Sequence, residues 1–200
     1  IERRVIVSKS LEERVLELER KVSKLENKHK KIASGLGIGD TFELVGLEWK
    51  ILDITDDGYL CLAEKLKEKR FDTETNCWYL SELRSYLNTN LYNLLLAEIG
   101  EDNIISFERD LTSLDGQVEY GNCADKVSLL TVDEYRKYRS LIPNTEDYWW
   151  WLLTPWSTPC NECERAMTVV SLSGDFDGWV CDYDVGVRPV CIFSSSIFES

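Results

Sequence analysis

Residues 148–193 read YWWWLLTPWSTPCNECERAMTVVSLSGDFDGWVCDYDVGVRPVCIF, and the fold turns on how this stretch is read. It holds five of the seven tryptophans: Trp149, Trp150, Trp151, Trp156 and Trp179. Its two apolar anchors, WLL at the start and VRPVCIF at the end, are short, rich in Trp, Val and Ile, and bounded by Pro and Gly, which predicts strands. Alternation along the first anchor sends Trp149 and Trp151 to one face and Trp150 to the other, so at least one of the three is expected in the core. Between the anchors, polar residues and glycines interleave with aromatics, and little regular period exists outside 167–172. Loop or short strand displayed on the surface is the expectation there. Trp156 and Trp179, set among polar residues, are candidates for exposure.

Upstream, residues 41–62 alternate in the manner of a hairpin, with FELVGLEWKILDI and YLCLA on either side of a turn at Asp56-Asp57-Gly58. A charged run follows over 64–72. Residues 79–99 place Leu80, Leu83, Leu87, Leu91, Leu94 and Leu95 on a helical stripe capped near Ser81, with a break expected at Asn88-Thr89-Asn90. Residues 104–121 are polar and turn-rich. KVSLL at 126–130 reads as a strand, and the T-x-x-E box at Thr131 to Glu134 starts a helix running to about Leu141.

The first forty residues are different in kind. Leu11, Val15, Leu18, Val22, Leu25, His29 and Ile32 are spaced 4, 3, 4, 3, 4, 3, a heptad seam with Val at a and Leu at d. A coiled coil is expected, ending at Ser34-Gly35, with Gly35, Gly37 and Gly39 as a hinge. The domain plan is therefore an oligomerisation helix and hinge over 1–38 and a ligand-binding domain over 39–200. A homotrimer is the expected assembly, and a dimer is the alternative that the Val/Leu seam suggests.

Residues 1–40 carry ten Lys and Arg against seven Asp and Glu, whereas the remainder carries thirteen against twenty-nine. A head this acidic is repelled by phosphate backbones and anionic membrane surfaces, so neither nucleic acid nor membrane insertion is expected. The first apolar cluster, Val5 to Val7, is too short for a signal peptide, and no run approaches the length of a membrane span. The expectation is a soluble protein made in the cytoplasm. Beginning at Ile1, the chain reads as a fragment or processed product.

The seven cysteines are scattered, and only Cys160 and Cys163 stand in C-x-x-C spacing. No second pair accompanies them, so reduced, mostly buried thiols are expected rather than zinc. The sole histidine, His29, falls in the heptad seam, which leaves 39–200 without an imidazole for a nucleophile pair or a catalytic metal. No glycine-rich phosphate loop and no G-x-S-x-G occurs. With so many acids, any chosen carboxylate pair is uninformative about glycosidase chemistry. Asp175, Asp177, Asp182 and Asp184, around a tight glycine turn in GDFDGWVCDYD, offer oxygen atoms of the kind calcium takes, although no Glu closes the twelve-residue calcium pattern. Ligand contact is expected of them, with calcium as the alternative and otherwise no cofactor.

The order of these features, from W-K-I-L-D-I through L-R-S-Y-L-N, D-K-V-S-L-L-T and W-W-L-L-T-P to an S-x-S-G turn and G-V-R-P-V, resembles a family of bacterial and phage domains of unassigned function. That family is similar to the C-type-lectin-like fold of formylglycine-generating enzymes and of the variable proteins of diversity-generating retroelements. The resemblance implies an α+β, C-type-lectin-like domain with small antiparallel sheets, two or three helices and long loops behind an N-terminal coiled-coil helix. It also implies a displayed, sequence-tolerant ligand face and a place on a phage tail or a bacterial cell surface, where the partner is a host or cell-surface protein or glycan. The E-P-N and W-N-D signatures of sugar-binding lectins are missing, and Cys181 and Cys191 do not match the paired active-site cysteines of the oxidases. The function expected is therefore a non-enzymatic receptor-binding protein with Trp156, Thr158, Asn161, Glu164, Arg165, Asp175, Asp177, Trp179, Asp182 and Tyr183 as its face and no catalytic residues. A formylglycine-generating or carboxylate-based glycan-hydrolysing enzyme and a purely structural tail component are the alternatives.

Overall fold

The computed structural model describes residues 35–198. The heptad segment, and with it the expected coiled coil, lies outside the described residues. The unit Gly37–Ser195 is mixed α+β, built from small, largely antiparallel sheets and short helices.

The first sheet begins with β1 (Thr41–Leu44), β2 (Leu47–Thr55) and β3 (Gly58–Ala63), and continues to β12 (Val190–Phe193) and β5 (Ile104–Ile105) in the order β1-β2-β3-β12-β5. The β2–β3 hairpin turns at Asp56-Asp57 as the sequence predicts. Gly58 sits at φ 147°, and a Cβ there would strike the Phe193 carbonyl of β12, so only glycine lets the turn approach so closely. Register shifts between Ile51 and Asp53. This bulge lets consecutive residues Ile51 and Leu52 both enter the core. It also aims Asp53 at the helix after Thr131, where it accepts hydrogen bonds from Tyr138 Oη at 2.6 Å and Lys137 Nζ at 2.9 Å.

The second sheet has the order β10-β9-β8-β11-β4, from β10 (Phe176–Val180), β9 (Ala166–Val170), β8 (Trp150–Pro155), β11 (Val185–Val187) and β4 (Lys67–Lys69). Of the loop or short strand expected between the anchors, the structure has short strand over much of the segment, where β9 and β10 form a regular hairpin. Its polar residues disguise the strand because β10 lies at the sheet edge and faces solvent. β11 pairs in parallel with β8, Gly186 opposite Trp150. Every residue of β8 is buried, so alternation does not separate core from surface there. Trp150 meets Tyr135 at 5.5 Å between ring centroids, and Trp151 meets Phe71 at 6.0 Å on the other side. A strand covered on both faces reads as a continuous apolar run, and burial of a side chain the size of Phe71 stabilises by about 1.5–3 kcal/mol.

α1 (Glu82–Tyr86) and α2 (Tyr92–Ile99) flank a π turn at Leu87–Leu91. Ser81 caps α1 by accepting the Arg84 N–H, and the predicted break falls where expected. Within the widened turn, Asn88 uses its amide group to bind both the carbonyl and the N–H of Val127. α3 (Val132–Tyr138) carries the full capping box between Thr131 and Glu134 and continues as a single 3-10 turn to Leu141. The ribbon of β6 (Phe107–Asp110) and β7 (Asn122–Asp125), with β5, replaces part of the turn-rich segment expected at 104–121. KVSLL is also corrected. Val127, Leu129 and Leu130 are fully buried, but Ser128 forms one isolated bridge to Val190, on a β12 edge shared with β5.

Arg188 joins the two sheets. It is 1% exposed, donates from Nε to the Ala63 carbonyl at 3.1 Å and from Nη2 to Glu64 at 3.1 Å, and lies over the Trp150 ring at 5.0 Å. A guanidinium so enclosed needs these partners, because burial without them is too costly.

Candidate ligand-binding cleft

The predicted face is divided by the geometry of β10. Trp156 is partly exposed, and its ring covers Gly178, so that a Cβ there would stand 3.0 Å from the indole. Successive strand residues point to opposite faces, so Trp179 lies on the other side of β10 from Trp156. Trp179 is 39% and Tyr183 58% exposed. Their ring centroids are 6.0 Å apart, and Trp179 in turn meets Trp149 at 5.2 Å. These three rings line an open cleft of about 390 Å³, with Leu172 as a further apolar wall and Asp147 and Asp184 at its sides.

The other predicted residues sit elsewhere. Thr158 is fully buried and leaves the face; its carbonyl accepts the N–H groups of Asn161 and Cys163, closing the turn inward. That turn is lashed down by buried Asn76, whose amide donates to the carbonyls of Ser157, Cys163 and Ala166 at 2.9, 3.2 and 2.8 Å. Asn161 and Glu164 are exposed on this tethered loop. Arg165 and Asp182 are occupied with each other at 2.5 Å, and Arg165 also donates to the Thr73 carbonyl.

The four aspartates do not form one cluster. Asp175 accepts from the Ser173 hydroxyl and Asp177 from the Gly178 N–H, while Asp182 holds Arg165 beyond the far end of β10 and Asp184 faces the cleft. Among the described residues no three Asp, Glu, His or Cys side chains gather in a metal-binding arrangement. Of the C-x-x-C pair, Cys160 is exposed and Cys163 half-buried. A hydrogen bond to Glu119 pushes the Cys160 thiol up, away from thiolate reactivity.

Residues that the sequence reading missed carry both the cleft and its support. Alternation leaves open whether Trp149 faces the core, and Asp147 and Leu172 give no local signal. Asp115 anchors the loop beneath the Trp156 side, accepting from the hydroxyls of Ser113 at 2.5 Å and Ser157 at 2.6 Å and from the Asn161 amide at 2.7 Å. These bonds hold its pKa down from 3.8 to about 2. Because the folded value lies below the unfolded one, the stabilisation is fully present above the ordinary carboxylate pKa and is lost as pH falls toward the folded value. Acid unfolding followed by tryptophan fluorescence should show this in the wild type and not in Asp115→Asn. Parallel curves for the two proteins between pH 4 and 2 would deny Asp115 that role.

No protein-family model, no curated protein and no solved structure matches the chain.

Proposed function

We propose that the domain is a non-enzymatic ligand-binding head and that its site is the cleft of Trp149, Trp179 and Tyr183. One observation carries this: three neighbouring rings, two of them substantially exposed, line an open concave surface that the fold leaves uncovered. Aromatic anchors of this kind supply large contact area at little cost in conformational entropy, and an exposed apolar concavity ringed by polar groups is what binding sites use. Residues 37–195 contain no histidine, which supports binding over acid–base chemistry. The finer reading joined to this is a C-type-lectin-like receptor-binding protein of a phage tail or bacterial surface. There a trimeric stalk over 1–38 would multiply weak contacts into avidity for a host-surface protein or glycan.

The test compares retention on host-cell surface material by the full chain, by a Trp179→Ala, Tyr183→Ala double variant, and by Trp156→Ala. Loss of an aromatic anchor should weaken binding by about 1–3 kcal/mol, with the folded circular dichroism spectrum retained because both side chains lie at the surface, partly exposed. Trp156→Ala, on the opposite side of β10, should bind as the wild type does. Equal retention by the double variant would place the site elsewhere.

A further inference from the structure

The cleft combines ring faces with uncompensated acidity, and we infer that it takes a small organic cation, namely a methylated ammonium group of the choline type. This deepens the binding reading above and rests on it. The rings are inclined rather than coplanar: 58° between Trp149 and Trp179, and 69° between Trp179 and Tyr183. Inclined faces make the walls of a box, which suits a compact, roughly spherical onium group. A flat sugar ring is better served by one broad platform. The negative face of each ring attracts a cation, and the attraction grows when the cation is desolvated, as a methylated ammonium readily is.

Charge points the same way. Asp147, Asp184 and Glu68 line the cleft, and no Lys, Arg or His is among the residues lining it. Glu68 is already balanced by Lys65 at 2.7 Å, so the free negative charge comes from the two aspartates. The neighbouring ring shows the preference at work, since the Lys65 ammonium stands 4.4 Å from the centroid of Tyr148, another wall residue. An anionic or phosphorylated ligand would have to face both aspartates.

The experiment titrates the full chain at constant ionic strength with four probes: choline, its neutral carbon isostere in which tert-butyl replaces trimethylammonium, phosphocholine, and glucose. Binding is read by tryptophan fluorescence and calorimetry. Choline should quench saturably, the neutral isostere should bind about tenfold more weakly, phosphocholine should be weaker than choline, and glucose should give no saturation. Asp147→Asn combined with Asp184→Asn should reduce choline affinity without changing that of the isostere. Equal affinity for choline and isostere, equal affinity for phosphocholine, or no saturation by choline would each overturn the cation assignment. The two readings fail separately: if retention on cell-surface material still depends on Trp179 while choline does not bind, the cleft stands and the ligand class falls. If retention is indifferent to Trp179, the cleft reading itself falls.

Discussion

Arg188→Ala is expected to destabilise the domain by about 3–5 kcal/mol, the range found when a large buried side chain with fixed polar partners is truncated. The loss has identifiable parts. The guanidinium is almost wholly enclosed, so its removal leaves a cavity between the sheets beside Trp150. It also strips the side-chain donor from the Ala63 carbonyl. Glu64 contributes little to the total because its side chain is 42% exposed and water replaces the lost partner. Glu64→Gln should therefore cost less than about 1 kcal/mol. Arg188→Lys should recover only part of the stability, because a lysine ammonium cannot reproduce the planar fork or the stacking on Trp150. Denaturant unfolding of the three variants decides the matter, and a loss of under about 1 kcal/mol for Arg188→Ala would mean the sheets do not depend on this joint.

Gly186→Ala should be comparably damaging, at about 3 kcal/mol. A Cβ at this position would lie 2.5 Å from Cδ2 of Tyr148 and 2.7 Å from the Trp149 carbonyl oxygen. The ring could turn away, but the carbonyl is backbone and accepts the Gly186 N–H at 2.8 Å. The added methyl must therefore push β11 away from β8, at the single point where the sheet pairs in parallel. Gly116→Ala is the control, since nothing lies within 4 Å of its Cβ and only the left-handed backbone is penalised, at about 1–2 kcal/mol. Gly186 has no left-handed backbone, so a loss at 186 no larger than that at 116 would mean that small shifts relieve the clash and steric exclusion is not what requires glycine there. The same displacement moves Tyr148 and Trp149, so ligand retention should fall together with stability.

What was legible in the sequence is what is decided locally. The Asp56-Asp57 turn, the Ser81 cap and the Thr131–Glu134 box each involve groups a few residues apart, and each is found where the pattern puts it. Long-range choices were not legible. Thr158 looks like a surface residue until Asn76, far earlier in the chain, gathers the loop around it. KVSLL has strand composition, yet the β12 edge it meets admits only one bridge. Trp149 joins Trp179 only once β8 and β10 are placed in one sheet, so the cleft could not be assembled from spacing. The ten residues expected to form one face are divided in two by alternation on β10.

The position of β12 also governs when this protein can come into being. During synthesis β1, β2 and β3 leave the ribosome early, but the free edge of β3 has no partner until residues 190–193 follow, and β8 likewise waits for β11. Both sheets are closed by strands translated long after the ones they pair with. Nascent chains must therefore emerge with apolar strand edges uncovered, in the state most prone to misassociation and most dependent on chaperones. A chain cut short before Val185 lacks both β11 and β12 and is left with two unfinished sheets.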